Sequence, residues 1–275
     1  MSTSSGTGPV GPAKVRIRHL HDAKDRGRPF SMLTAYDQFS AQAFEEAGID
    51  VLLVGDSVGT TVLGHSSTTA TTHQDMLTFT GAVARSVHRP LVVADLAFGT
   101  YETGPADAVR HGVELVRAGA ELVKLEGGHA VVPQIRALVE AGIPVMGHLG
   151  FTPQSVNSLS GHRVQGRDAH GADQLAEDAL AIQDAGASAI VLELVPASVA
   201  ARITEVVQVP TIGIGAGPAC DGQVLVWQDM AGLSGFHGKF VKTFADLRRD
   251  LTHAAEQYRA EVGERSYPGE EHSFE

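Results

Sequence analysis

Three carboxylates follow apolar segments of strand length, and their types and positions suggest chemistry. Asp56 stands in "VLLVGDS", Asp95 in "LVVADL" and Glu126 in "LVKLEGG". Carboxylates that lie close together repel one another unless protons or a cation neutralise them. Oxygen ligands select hard cations, and Mg²⁺ binds through one or two carboxylates while it keeps positions for water and substrate oxygens. The residues therefore predict a magnesium site. Glu126 would act on the ion through a water, or would contact the residues that bind the ion.

Each of these carboxylates also has an ordinary explanation. An Asp that follows a strand commonly caps the next helix or forms one half of a surface ion pair. We would favour that explanation for any one of them alone. Three carboxylates at the same end of one fold favour a site instead.

Lys124 lies two residues before Glu126, and residues i and i+2 of a strand share a face. As a cation, Lys124 could hold a carboxylate or enolate oxygen of a substrate; as a desolvated amine, it could form a Schiff base with a carbonyl group. Neighbouring carboxylates stabilise the ammonium form, which favours the electrostatic role. Simple pairing with Glu126 is the remaining alternative.

Glu193, in "VLELVP", is a candidate general base because a carboxylate in apolar surroundings is suited to proton abstraction. A buried glutamate bound by backbone groups is the alternative, and it is less common because buried Glu is rare unless paired. His148, in "MGHLG", has two roles that the sequence supports about equally. It assists a proton transfer, or it is a hydrogen-bonded histidine of the core.

The elements that would position these residues repeat along the chain as strand–helix units. Helical periodicity marks "SAQAFEEAG", "PADAVRHGVELVRAGA", "VPQIRALVEAG" and "GADQLAEDALAIQDAGA", which alternate with nearly continuous apolar runs typical of a covered parallel sheet. Eight units in 275 residues match a (β/α)8 TIM barrel better than an open doubly wound sheet, and no GxGxxG follows the first run. The eight apolar runs lie at 31–36, 50–57, 90–96, 121–127, 143–150, 189–195, 210–217 and 223–230.

The active site of such a barrel lies where the strands end. We expect six polar residues to converge there because each shares a strand face with the inward apolar residue two positions earlier. They are Asp56, Asp95, Lys124, Glu126, His148 and Glu193. Two long polar segments, 58–73 and 151–170, should form loops that shape or cover the site, and Arg163 and Arg167 in the second could meet an anionic ligand.

Composition narrows the class of partner. The chain has 21 Lys and Arg against 32 Asp and Glu, a net charge of −11, with no basic block, which argues against nucleic acid or a membrane surface and favours a small molecule. The single cysteine, Cys220, excludes an internal disulfide and fits a cytoplasmic location. We expect residues 1–13 to form a disordered tail and residues 14–275 to form one barrel domain that includes the C-terminal tail.

Nine motifs occur in order along the chain, and together they resemble those of the ketopantoate hydroxymethyltransferases. They are "TAYD", "VGDSVG", "LVKLEGG", "GHLGFTPQSVN", "VQGR", "LELVP", "IGIGAG", "DGQVLV" and "YPGEEHSF". The resemblance runs from about residue 14 to the end of the chain. One departure follows Asp95, where the chain reads "LAFGTYETGP" and the family pattern predicts "LPF" and a loop about one residue shorter.

The resemblance implies a fold, an assembly and a set of site residues. The fold is a (β/α)8 barrel of the phosphoenolpyruvate/pyruvate type, with one Mg²⁺ per subunit, in a homodecamer of two pentameric rings. The implied metal ligands are Asp56, Asp95 and Glu126. Keto-acid contacts are implied for Asp56, Ser57, Asp95 and Lys124, and Glu193 is the implied proton acceptor.

The implied reaction transfers a hydroxymethyl group from 5,10-methylenetetrahydrofolate to 3-methyl-2-oxobutanoate through a Mg²⁺-stabilised enolate. Its products are 2-dehydropantoate and tetrahydrofolate, in the first committed step of pantothenate biosynthesis. The main alternative is another Mg²⁺-dependent 2-oxo acid lyase or mutase on the same barrel. Two further alternatives are a Schiff-base aldolase that uses Lys124 and a barrel protein that serves only in binding or assembly. Charged groups at five strand ends argue against the binding or assembly protein.

Overall fold

The computed structural model describes residues 13–161 and 163–275. The chain divides into two compact units, of which the first ends at Leu225 and the second runs from Val226 to Glu275. The predicted tail at 1–13 lies, except for its last residue, outside the described residues. The prediction of one domain over 14–275 stays a prediction.

The first unit is a closed barrel of eight parallel strands in sequence order, which confirms the predicted (β/α)8 fold. Every predicted apolar run overlaps one strand, although β1 and β8 begin one residue before their runs. The strands are β1 (Phe30–Thr34), β2 (Val51–Val54), β3 (Leu91–Asp95), β4 (Leu122–Glu126), β5 (Val145–Gly150), β6 (Ala189–Glu193), β7 (Thr211–Ile214) and β8 (Gly222–Leu225).

Helices cover the connections between the strands, and the four predicted helical segments correspond to α2, α5, α6 and α7. The helices of this unit are α1 (Ile17–Asp25), α2 (Gln38–Glu46), α3 (Val58–Thr61), α4 (His73–Ala84), α5 (Pro105–Ala118), α6 (Val132–Glu140), α7 (Ala169–Asp184) and α8 (Ala197–Val206). Asp37, which follows β1, caps α2 by accepting from the backbone N–H groups of Phe39 and Ser40. The segment 58–73 was predicted to form a loop. It is more ordered than that, since it contains α3 and a 3₁₀ turn at Thr68–Ala70.

Alternate strand residues fill the barrel interior, as period-2 geometry requires. The interior cluster includes Phe30, Met32, Val51, Leu53, Leu91, Val93, Leu122, Met146, Ala189, Val191, Ile212 and Val224. Asp95, Lys124, Glu126, His148 and Glu193 continue these alternations. The predicted face-sharing is wrong for Asp56, because Val51 and Leu53 are the inward residues of β2 and Asp56 lies two residues beyond its end.

Helices are the regular elements of the second unit. It contains α9 (Trp227–Met230), α10 (Leu247–Glu264) and a 3₁₀ turn at Glu270–His272. The predicted strand run 223–230 is thus strand only up to Leu225. No residue of α10 is buried, and its apolar side chains Leu251, Tyr258 and Val262 are exposed. Across 13–161 and 163–275, no helix has the length and hydrophobicity needed to cross a membrane.

Candidate active site

The C-terminal ends of β3 to β6 bring five of the predicted residues together. The strand register places Asp95 opposite Lys124 and Glu126 opposite His148. All four of these residues are buried, whereas Glu193, the last residue of β6, keeps 17% of its side chain exposed. These five residues therefore converge at one end of the barrel, and direct contacts join them.

Lys124 lies between two carboxylates. Its Nζ is 3.2 Å from Oδ1 of Asp95 and 3.8 Å from Oε1 of Glu126. Burial alone favours the neutral amine, but the negative charges of Asp95, Glu126 and Asp56 outweigh it and raise the pKa of Lys124. The side chain is therefore an ammonium ion, which supports the electrostatic role over a Schiff base.

His148 bridges two other carboxylates. Its Nδ1 is 3.1 Å from Oε1 of Glu126, and its Nε2 is 3.2 Å from Oε2 of Glu193. Burial and the charge of Lys124 lower the pKa of His148, but Glu126 and Glu193 outweigh them and raise it to about 9. Because a protonated Nδ1 donates to Glu126, the 3.3 Å approach of Lys124 Nζ to Nδ1 is a contact between cations rather than a hydrogen bond. His148 thus belongs to the site rather than to the apolar core.

Asp56 reaches the cluster through the turn that follows β2. Its backbone N–H donates to Oδ2 of Asp95 at 3.0 Å, and its carbonyl accepts from Oγ1 of Thr71 at 2.8 Å, which ties segment 58–73 to the site. Burial, followed by the charges of Asp95 and Glu126, raises the pKa of Asp56 to about 8. At neutral pH this carboxyl group therefore keeps its proton unless a cation takes the proton's place.

Glu126 has no free oxygen. Its Oε1 faces His148, and its Oε2 accepts from the backbone N–H of Gln154 at 2.9 Å. Burial raises the pKa of Glu126, but His148 and Lys124 outweigh burial and the pKa is lowered. An ionised Glu126 with both oxygens engaged is suited to reach a cation through a water.

The donor set fits a hard cation at Asp56 and Asp95. Oδ1 of Asp95 is buried, with Nζ of Lys124 3.2 Å away but no hydrogen bond, and the raised pKa of Asp56 means that its ionised form needs a cation beside it. Two carboxylates are the number that Mg²⁺ commonly uses in proteins. Within the described parts of the chain, no three or more His, Cys, Asp or Glu side chains are grouped as a metal-binding set. The two aspartates would therefore leave most coordination positions to water and substrate.

Ser57 lies beside Asp56 and is paired with an aromatic residue. Its Oγ is 2.7 Å from the hydroxyl of Tyr36, which is buried just beyond β1. Burial, opposed by hydrogen bonds that include the one to Ser57, raises the pKa of Tyr36 to about 12. Tyr36 is thus a neutral partner that can orient the Ser57 hydroxyl.

The segment 151–170 contributes a residue that sequence reasoning missed. Gln154, in the 3₁₀ turn Pro153–Ser155, is buried and donates from Nε2 to Oδ2 of Asp56 at 2.9 Å. Its only sequence signal was its place in the motif "GHLGFTPQSVN". Arg163 and Arg167 of the same segment are exposed, and their predicted contact with an anionic ligand stays a prediction.

Glycine allows β5 and β6 to approach closely beside Glu193. Gly150 has φ +93°, and the N–H of Phe151 donates to the carbonyl of Glu193 at 2.8 Å. A Cβ on Gly150 would collide with that carbonyl oxygen. Leu194 adopts φ +47°, which is uncommon for a bulky residue and turns the chain sharply after Glu193. The backbone on both sides of Glu193 is therefore fixed.

Sequence comparison identifies close relatives. Residues 14–270 match the family model described as ketopantoate hydroxymethyltransferase. The chain is 54% identical over 265 residues to a 3-methyl-2-oxobutanoate hydroxymethyltransferase of Leifsonia xyli, covering 96% of this chain and 95% of the relative. It is 53% identical over 262 residues to the protein of the same name from Thermobifida fusca, covering 95% and 94%.

Solved structures share the barrel at much lower identity. A phosphonopyruvate hydrolase in complex with oxalate and Mg²⁺ has a TM-score of 0.62 and 14% identity, covering 94% of this chain and 93% of the other. A 2,3-dimethylmalate lyase of the PEP mutase/isocitrate lyase superfamily has a TM-score of 0.59 and 18% identity, covering 92% and 89%. At this identity the likeness supports the fold alone.

Proposed function

The chain belongs to the ketopantoate hydroxymethyltransferase family of transferases, and on that premise we propose that it converts 3-methyl-2-oxobutanoate to 2-dehydropantoate. The one-carbon donor in this proposal is 5,10-methylenetetrahydrofolate. C3 of the keto acid loses a proton and forms a bond to the methylene carbon, while a water molecule supplies the hydroxyl group and tetrahydrofolate leaves. The reaction would be the first committed step of pantothenate synthesis.

The exposure of Glu193 is the observation that carries this proposal. Its side chain is 17% exposed, whereas those of Asp95 and Glu126 are 3% and 2% exposed and Asp56 is 4% exposed as a residue. Of these four carboxylates, Glu193 is therefore the one that can reach the C3 proton of a bound keto acid. This supports its role as the proton acceptor.

Two cations lie beside the groups that would react. The imidazolium of His148 contacts Oε2 of Glu193, which leaves Oε1 to accept the proton. Lys124 presents its ammonium group at the same end of the barrel, where it would hold the negative charge that develops on the keto oxygen. Fixed charges that are in place before reaction act strongly in a site closed to water. Ser57, oriented by Tyr36, would bind the keto acid beside Asp56.

Asp56 and Asp95 would hold one Mg²⁺ per subunit, with Glu126 reaching it through a water. When bound, the ion supplies Lewis-acid polarisation of the keto carbonyl, which makes the C3 proton more acidic. The backbone N–H of Asp56 fixes Oδ2 of Asp95, and Oδ1 of Asp95 lies 3.2 Å from Nζ of Lys124. The chain's own contacts thus hold the Asp95 carboxylate in place beside Asp56, where the ion would bind.

Exchange of the C3 hydrogen in D₂O tests the first half-reaction without folate. NMR of 3-methyl-2-oxobutanoate with the enzyme and Mg²⁺ should show loss of the C3–H signal. Glu193→Gln should abolish the exchange, whereas Glu177→Gln, on an exposed position of α7, should preserve it. No exchange by the wild type, or undiminished exchange by Glu193→Gln or after EDTA, would overturn the proposal.

The lyase or mutase alternative has only the barrel in its favour, since the lyase and mutase structures share 18% identity or less with this chain. Turnover that requires 5,10-methylenetetrahydrofolate would separate it from the proposed reaction. A homodecamer of two pentameric rings and a cytoplasmic location also belong to the proposal. Light scattering that gives an assembly of other than ten chains would contradict the homodecamer.

A further inference from the structure

Gln154 connects parts of the barrel that are distant in sequence. Its Nε2 donates to Oδ2 of Asp56 and to the carbonyl of Leu96, both at 2.9 Å, and its Oε1 accepts from the hydroxyl of Tyr101 at 2.6 Å. Its backbone N–H donates to Oε2 of Glu126 at 2.9 Å. One buried residue after β5 thus holds carboxylates that follow β2 and end β4.

These contacts fix the orientation of the amide. Asp56 Oδ2 and Leu96 O offer only lone pairs when Asp56 is ionised, so the NH₂ group must face them. Tyr101 reinforces this orientation, because its hydroxyl accepts from the backbone N–H of Glu126 at 3.3 Å and has two acceptors for its own proton. Oε1 of Gln154, at 2.6 Å, is much closer than the carbonyl of Glu126, at 3.3 Å, so the proton points at Gln154. A flipped amide would place Oε1 against two acceptors and its NH₂ against a hydroxyl proton.

We propose that Gln154 is a positioning residue, which fixes Asp56 through its side chain and Glu126 through its backbone and so sets the separation of these two carboxylates. The inference rests on the proposed function, in which Asp56 binds Mg²⁺ and Glu126 reaches it through a water. With Oδ2 of Asp56 held by Gln154, Oδ1 is the oxygen presented to the cation. Groups that orient a metal ligand in this way commonly change metal affinity by about 10- to 100-fold when removed.

A glutamine is suited to this position because it donates without adding charge. A glutamate would place another negative charge against Asp56, and a lysine would compete with the cation for its carboxylate. The amide nitrogen supplies two hydrogens, one for each acceptor, and its oxygen satisfies Tyr101. Every polar atom of Gln154's side chain has a partner in the cluster, so its removal alters the site at several points at once.

Calorimetric titration of the metal-free protein with Mg²⁺ tests the inference without relying on activity. Gln154→Leu, which keeps the backbone N–H to Glu126, should weaken Mg²⁺ binding by about 10- to 100-fold. Gln134→Leu is the matched control, because buried Gln134 donates to the backbone carbonyl of Tyr101 at 3.1 Å and to none of the site carboxylates. The control should lower the melting temperature while keeping Mg²⁺ affinity within about twofold of wild type.

Tyr101→Phe provides a second, conservative variant should Gln154→Leu fail to fold. Loss of the hydroxyl frees the amide of Gln154 to reorient, so Mg²⁺ binding should weaken, by less than in Gln154→Leu. Wild-type affinity in whichever of these variants folds would overturn the positioning role while leaving the proposed function intact. A wild type that neither binds Mg²⁺ nor exchanges the C3 hydrogen would instead overturn the proposed function, and the inference would fall with it.

Discussion

Nζ of Lys124 lies 3.2 Å from Oδ1 of Asp95, and the two residues stand opposite each other on neighbouring strands. Both side chains are almost completely buried, at 5% and 3% exposure. Removal of one partner of such a pair leaves an uncompensated charge in a medium of low dielectric constant. Lys124 therefore has a structural role in addition to its proposed contact with the substrate.

Lys124→Met should destabilise the metal-free protein by about 3–5 kcal/mol because it leaves Asp95 buried without its cation. Urea unfolding in EDTA, followed by circular dichroism, measures this loss. Lys14→Met is the control, since Lys14 pairs with Glu121 at 2.6 Å but both side chains are more than a quarter exposed. Loss of that pair should cost about 1 kcal/mol or less. Equal losses in the two variants would contradict the buried-charge argument.

Gly150→Ala should both destabilise the protein and slow proton removal. A Cβ there meets the carbonyl oxygen of Glu193, so the end of β6 must move. Gly142→Ala separates this clash from backbone strain, because Gly142 also has a positive φ, +80°, but has open space around its Cβ position. The control should lose only the roughly 1–2 kcal/mol cost of a left-handed residue and keep wild-type C3 exchange. Denaturation and exchange rates measured on both variants check this, and normal exchange in Gly150→Ala would contradict it.

His73 should make the protein less stable at mildly acidic pH. Burial lowers its pKa, the nearby His111 and Arg110 add to this effect, and the hydrogen bond and charge of Glu114 oppose it. Its Nδ1 is buried without a hydrogen-bond partner, so a second proton would be poorly accommodated. A folded-state pKa below the ordinary value of about 6.5 means that the unfolded chain takes up the proton more readily. Stability is then retained above about pH 6.5 and lost as the pH falls below it.

Melting temperatures measured from pH 8 to pH 5.5 check the role of His73. Wild type should lose more stability over the acidic part of this range than His73→Gln, which has no group to protonate there. Parallel curves for the two proteins would show that other residues cause any acid sensitivity.

Strand residues of the site were predictable because their positions follow a period of two. Asp95, Lys124, Glu126 and Glu193 continue the alternation of inward apolar residues, and a closed parallel barrel brings such positions to one end. Asp56 was correctly placed at the site for an incorrect reason, since a turn beyond β2 brings it there. Turn geometry depends on contacts such as that with Asp95, 39 residues away, which no local pattern encodes.

Gln154 could not be predicted for a related reason. It is uncharged, it lies in an irregular segment without periodicity, and its partner Asp56 is 98 residues away. The role of His148 stayed open because its charge depends on Glu126 and Glu193, which are neighbours only once the barrel has closed. Sequence pattern thus located the charged residues of the strands, and the contacts between loops required the structure.

The closed barrel gives β4 a hydrogen-bonded neighbour on each side. The register that sets Lys124 opposite Asp95 also sets Glu126 opposite His148. A shift of β4 by one residue would exchange both charges for Val123 and Leu125 and turn the charged side chains toward the helices. The strand register therefore sets the positions of Lys124 and Glu126 together, and a single side-chain substitution cannot change the spacing between them. Redesign of substrate preference should accordingly vary the loops and leave the lengths of these strands unchanged.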